Sequence, residues 1–266
     1  MGIVYAIANQ KGGVGKTTTS VNLAASLAAT KKRVLLIDLD PQGNATMGSG
    51  INKNEQERTI YDVLVGLVSY SDATISSPES EYHILPANGD LTAAEVEMLS
   101  LDNKEHRLAK AMDGAREHYD YVLIDCPPSL NMLTVNALTA CDGVIVPMQC
   151  EYYALEGLSA LTDTINTIQS VLNPRLRIEG ILRTMYDPRN TLTGEVSAQL
   201  SEHFGSRLYR TCIPRNVRLA EAPSYGMPVL AYDRQSKGAM AYIALAGEII
   251  RRNDELSVST SLANSR

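Results

Sequence analysis

The chain alternates two hydrophobic patterns. Short, nearly continuous apolar runs recur at Ile3 to Ala8, Val34 to Leu39, His83 to Pro86, Tyr121 to Asp125, Gly143 to Pro147, Ile178 to Thr184 and Leu208 to Ile213. Between most of them lie segments with three-to-four residue spacing, clearest at Thr18 to Ala29, Lys104 to Tyr119, Ala154 to Leu172, Gly194 to Phe204 and Gly238 to Arg252. Apolar strands without polar alternation are strands covered on both faces. The order predicts an α/β fold: a mostly parallel twisted sheet flanked by helices on both faces, with active residues at the strands' C-terminal ends. Leu155, Leu158, Leu161, Ile165, Ile168 and Leu172 read as ordinary core packing.

The turn after the first strand carries the chemistry. Residues 9 to 18 read Asn-Gln-Lys-Gly-Gly-Val-Gly-Lys-Thr-Thr. Strand, glycine-rich loop and helix in this order make a phosphate-binding loop, in which Gly12, Gly13, Val14 and Gly15 bring backbone N–H groups to an anion at a helix N-terminus. Lys16 then meets the β- and γ-phosphates, Thr17 gives its hydroxyl to Mg²⁺, and Thr18 follows inside the helix. ATP and Mg²⁺ are the expected ligands. The fourth major strand ends Tyr121-Val-Leu-Ile-Asp, the Walker B pattern, so Asp125 is expected to hold the Mg²⁺ shell through water. The second strand ends in two carboxylates, Asp38 and Asp40. Either could order Mg²⁺ waters or the attacking water, or cap a turn, a role that suits Asp38 better.

Lys-Gly-Gly-Val-Gly-Lys-Thr-Thr has a second lysine, Lys11, five residues before Lys16. It resembles the deviant Walker A loop of the ParA/MinD superfamily of ATPases, whose early lysine reaches across a dimer to the partner's nucleotide. The resemblance implies an ATP-sandwich homodimer, with Lys11 and Lys16 catalytic and Gly12 where two loops approach. Asp-Leu-Asp-Pro-Gln-Gly-Asn resembles that family's switch I, which assigns water positioning to Asp40 and leaves Asp38 to support magnesium waters or the loop. Pro127, Pro128 and Ser129 resemble switch II.

Gln149-Cys-Glu-Tyr-Tyr-Ala-Leu-Glu-Gly and Ile213-Pro-Arg-Asn-Val-Arg-Leu-Ala-Glu-Ala-Pro-Ser-Tyr-Gly are similar to the ParA/Soj branch, and the likeness runs from Asn9 through the last helix. It implies base contacts from Met185, Pro214 and Asn216, and a dimer-face role for Glu151 and Tyr153 that competes with plain packing. It also implies nonspecific double-stranded DNA binding through Arg189 and Arg218, and hydrolysis stimulated by a ParB-type partner. Arg215, Arg251, Arg234, Lys237 and Arg252 are weaker DNA candidates from charge clustering alone.

Composition narrows the choice. The 266 residues carry a net charge of −6, but residues 1 to 203 hold −10 and residues 204 to 252 hold +5, which allows a basic C-terminal surface. No leader, transmembrane-length run or repeat is evident, so a single cytoplasmic ATPase domain over residues 1–252, associated with nucleoid DNA, is expected. The remaining stretch, 253–266, reads as a polar disordered tail, and its lack of aromatic residues argues against a MinD-like membrane helix. Cys126, Cys141, Cys150 and Cys212 form no C-x-x-C pair, which disfavours zinc and nitrogenase-type clusters and suits buried thiols. A MinD-like membrane-surface ATPase and a P-loop metabolic enzyme, such as an amidoligase with a second substrate pocket, remain the alternatives.

Overall fold

The computed structural model describes the backbone of residues 2–264 and side chains as far as Leu256. Among the described residues the strands are β1 (Ile3–Ile7), β2 (Val34–Asp38), β3 (Ile75–Ser76), β4 (His83–Leu85), β5 (Tyr121–Asp125), β6 (Gly143–Gln149), β7 (Ile178–Tyr186) and β8 (Leu208–Pro214). They form one sheet in the order β3-β4-β2-β5-β1-β6-β7-β8. Every pairing is parallel except that of the two-residue edge strand β3, which no hydrophobic run announces.

Both faces of the sheet are covered. Along β1, Val4 and Ala6 join one core cluster while Tyr5 and Ile7 join the other, and β2 divides in the same way. That is why these runs are apolar throughout rather than alternating. The helix Ala154–Val171 buries Leu158, Leu161, Ile165 and Ile168, as the spacing predicts. The helix expected over Lys104 to Tyr119 is instead broken into a 3₁₀ turn and two short helices, Arg107–Ala111 and Ala115–His118. Gly114 between them has φ +81°, a left-handed conformation that ends helical winding.

The last helix spans Lys237–Asn264, so it continues through most of the stretch expected to be a disordered tail. Nothing in that stretch breaks a helix, and Asn253 anchors it: its buried amide accepts from Tyr5 Oη at 2.7 Å and donates to Tyr121 Oη at 3.2 Å. Residues 265 and 266 lie outside the described residues. The same helix guards the sheet edge. Glu248 accepts from the backbone N–H groups of Arg210 and Thr211, each at 2.9 Å, occupying donors that an edge strand would otherwise expose.

Gly180 on β7 has a steric role. A Cβ there would fall 2.3 to 2.9 Å from ring atoms of Tyr209, which is fully buried. Gly180→Ala is therefore expected to destabilise the fold by about 2–3 kcal/mol through overpacking, read as a lower urea midpoint with an unchanged slope.

Candidate functional site

The β1 loop and the strand ends beside it enclose a cleft of about 590 Å³. Its walls include Gly12, Gly13, Gly15, Lys16, Thr17 and Thr18 from the loop, and Asp40 beyond β2. Pro127, Pro128 and Ser129 beyond β5 and Met185 on β7 complete it. Gly13 and Gly15 have φ of +73° and +88°, so the loop needs glycine at both positions. Gly15 caps the helix Lys16–Ala29, whose first turn holds no acidic side chain. Its N-terminal N–H groups and dipole are available to an anion.

Long-range hydrogen bonds hold the loop's shape. Thr184 Oγ1 donates to the Val14 carbonyl at 2.7 Å, and Gln149 Nε2 donates to the Gly13 carbonyl at 3.2 Å. The same Gln149 nitrogen lies 2.7 Å from Met185 Sδ, and Met185 takes φ +48°, an uncommon conformation for this residue at the rim of the cleft. Lys16 is buried and its Nζ donates to the Lys11 carbonyl at 3.0 Å, which curls the loop around the ammonium.

The carboxylates divide by their partners. Asp125 accepts from Thr17 Oγ1 at 2.8 Å and from Ser20 Oγ at 2.7 Å, placing the expected hydroxyl and carboxylate side by side. Hard oxygen donors beside a phosphate loop suit Mg²⁺, which takes few protein ligands and keeps its waters. Burial, and then the charge of Asp38 opposite it in the sheet, push the Asp125 carboxyl up to about 7. Burial of Lys16 lowers its ammonium, an effect opposed chiefly by Asp125.

Asp38 accepts from Thr46 N at 2.8 Å, Thr46 Oγ1 at 2.7 Å and Asp40 N at 3.2 Å, and does not line the cleft. These contacts tie its carboxylate to the segment that follows β2. Burial pushes its carboxyl up to about 6, against those hydrogen bonds. Asp40 does line the cleft, with one carboxylate oxygen held by Gln42 N at 2.9 Å.

Lys11 is placed differently from Lys16. Its side chain is not part of the cleft wall but extends outward to Glu151 Oε2 at 2.6 Å, each side chain about half exposed (48% and 51%). Tyr153 is exposed beside it, packed edge-on against Tyr152.

The three expected base contacts lie along adjacent stretches of chain, Pro214 on β8 being paired in register with Tyr186 beside Met185. Met185 lines the cleft, but Pro214 lines a neighbouring groove with Tyr186, Pro188 and Lys237, and the Asn216 carboxamide oxygen is spent capping the helix Val217–Glu221. Arg189 is paired with Asp187 through two contacts of 2.9 and 2.7 Å, and Arg218 with Glu221 and Asp233. Arg215, Arg234 and Lys237 are exposed and carry no ion pair among the described residues. Arg251 lies with Arg252 at the opposite end of the strands, around the starts of β7 and β8. Sequence reasoning missed Ser20, Thr46, Gln149 and Thr184. Only Ser20, one helical turn after Lys16, carried a local signal.

Comparisons with known proteins identify the family. A family model described as an AAA domain matches residues 2–178. An uncharacterised Pseudomonas putida protein is 67% identical over 95% of this chain and 96% of its own length. The chromosome partitioning protein ParA of Caulobacter vibrioides is 51% identical over 94% of each chain, and the sporulation initiation inhibitor protein Soj of Bacillus subtilis is 51% identical over 94% of this chain and 98% of its own. Among solved structures, one described as cobyrinic acid a,c-diamide synthase from Mycobacterium smegmatis, with bound ATP analogue and magnesium, superposes with a TM-score of 0.84 at 37% identity, covering 96% of each chain. The cell division ATPase MinD of Pyrococcus furiosus superposes with a TM-score of 0.78 at 25% identity, covering 94% of this chain and 99% of its own. With its two-lysine phosphate loop, parallel sheet and near-full-length likeness to those relatives, the chain belongs to the ParA/Soj family of P-loop ATPases.

Proposed function

We propose that this protein is a DNA-partitioning ATPase: ATP closes a sandwich homodimer, the dimer binds double-stranded DNA without sequence preference, and hydrolysis stimulated by a ParB-type partner releases it. The observation that carries the reading is the outward placement of Lys11. A lysine that served only its own nucleotide would enter its own cleft, as Lys16 does. Lys11 instead leaves the loop half exposed, within reach of a second molecule. Basal turnover is slow in this reading, because Asp40 alone orients the attacking water.

The Glu151 ion pair gives a graded test. Lys11 must leave Glu151 to reach a partner's nucleotide, so Glu151→Gln is expected to lower the ATP concentration at half-dimerisation roughly two- to fivefold, the range of an exposed pair. Sedimentation velocity across an ATP titration measures it.

DNA contact is assigned to Arg189 and Arg218, with Arg215 beside them and Arg251 more remote. The two leading arginines trade acidic partners in cis for phosphates, and Arg215, Arg234 and Lys237 add cations with no ion pair to break. Fluorescence polarisation with random-sequence duplex is the direct experiment. Binding is expected with ATP and Mg²⁺ but not with ADP, weakening steeply as salt rises. Absence of binding in every nucleotide state would overturn the reading. A second reading, an amide ligase, is favoured by the description of the Mycobacterium smegmatis neighbour. Glutamine- and ATP-dependent amidation of cobyrinic acid, assayed by mass spectrometry, separates it from the first.

A further inference from the structure

A second charged cavity lies away from the nucleotide cleft. It has a volume of about 900 Å³ and is lined by the starts of β7 and β8, the turn at Gly205–Arg207 and the C-terminal half of the last helix. The nucleotide cleft is built on strand C-terminal ends, so the two sites occupy opposite ends of the sheet. Six arginines, Arg177, Arg183, Arg207, Arg210, Arg251 and Arg252, line this cavity against three glutamates. Two of the glutamates are already engaged, Glu179 with Arg177 at 3.0 Å and Glu248 with Arg252 at 2.7 Å. Arg207, Arg210 and Arg251 are exposed, and none makes an ion pair among the described residues.

The inner guanidinium of the hollow is fixed, Arg183 donating to Ser197 Oγ at 2.7 Å and to the Tyr209 carbonyl at 2.8 Å. The exposed Arg207, Arg210 and Arg251 therefore stand as an excess of charged donors with no acidic partner among the described residues, and such an excess suits an acceptor-rich ligand. The Tyr209 ring is covered by the Arg252 guanidinium at 4.4 Å, which leaves no free aromatic face for a base. The chemistry is therefore that of phosphate groups.

We infer that this arginine-lined hollow binds a compact group of two or more phosphates, independently of the nucleotide in the phosphate loop. Those phosphates can belong to a free phosphorylated molecule or to a nucleic-acid backbone. Arg207, Arg210 and Arg251 supply the exposed charges, and Arg177 and Arg252 the flanking ones.

Isothermal titration of the full chain with inorganic tripolyphosphate, in EDTA, tests this. The Lys16→Ala chain, whose phosphate loop is disabled, is expected to lose the tripolyphosphate bound at that loop and to keep one further site, and the arginine variants are compared in that background. Arg207→Ala with Arg251→Ala is expected to weaken binding roughly a hundredfold, two charged hydrogen-bonding groups being lost, and the corresponding double lysine variant to recover part of it. Circular dichroism melts confirm that each variant is folded. Loss of all binding in Lys16→Ala would assign the phosphates to the nucleotide cleft and overturn the inference, as would undiminished binding by the double alanine variant. Random-sequence duplex DNA, added to the chain with an intact phosphate loop in ATP and Mg²⁺, then identifies the source. Displacement of tripolyphosphate supports a nucleic-acid backbone at this site, and retention of it supports a free phosphorylated ligand.

Discussion

Replacing Gly12 with valine is expected to leave ATP binding within about threefold of wild type and to weaken ATP-dependent dimerisation by roughly a hundredfold or more, the scale of severe overpacking at a close contact. The monomer gives the reason for the first half. A Cβ built on Gly12 meets no atom within 4 Å, and the residue is not among those with positive φ. The first side-chain carbon of a valine there meets open space, and the backbone needs no positive φ. In the sandwich reading the second half follows, because Gly12 stands at the exposed front of the loop, where the partner's loop arrives. DNA binding that depends on the dimer is lost with it. Equilibrium binding of a fluorescent ATP analogue and sedimentation velocity separate the two effects. Normal dimerisation of Gly12→Val would remove the loop-to-loop interface, and with it the role given to Lys11.

The phosphate loop was legible from sequence because its geometry is local. The whole phosphate loop lies between adjacent elements, β1 and the helix Lys16–Ala29, so its geometry is written in consecutive residues. The same holds for Asp125, where an apolar strand ends in one acid. The supports of the loop were not legible, because they come from far along the chain. Thr184 reaches Val14 across 170 residues and Gln149 reaches Gly13 across 136, and neither residue type announces such a contact. Asn216 and Asp38 illustrate a different limit. Resemblance put Asn216 at the base and left Asp38 two roles, whereas the contacts that hold these side chains, a helix cap for the Asn216 oxygen and Thr46 for Asp38, are set by the local backbone and are not announced by residue type. Polar composition also hid the start of the last stretch, where Asn253 is held by two buried tyrosines and the helix runs on.

Asp40→Ala is expected to reduce ATP hydrolysis by about 10²- to 10⁴-fold, the usual contribution of a positioned acid–base group, while preserving nucleotide binding. Asp40 lines the cleft, and the hydrogen bond of its carboxylate is to the Gln42 backbone rather than to Lys16 or Thr17. Removing its carboxylate therefore leaves the hydrogen bonds of the phosphate cradle intact and, in the proposed reading, removes the group that orients the attacking water. If hydrolysis is what releases DNA, the variant remains bound in ATP after the wild type has let go. Single-turnover hydrolysis and the lifetime of the DNA complex measure the two consequences. Asp38→Ala provides the contrast. Its carboxylate satisfies buried Thr46 donors, so that change is expected to cost about 3 kcal/mol of stability and to disturb the loop as a whole rather than hydrolysis alone. Two acids two residues apart thus separate by readout, Asp40 in the rate and Asp38 in the fold. Hydrolysis by Asp40→Ala within threefold of wild type would move water positioning to another wall of the cleft, where Gln42 and Asn44 also stand.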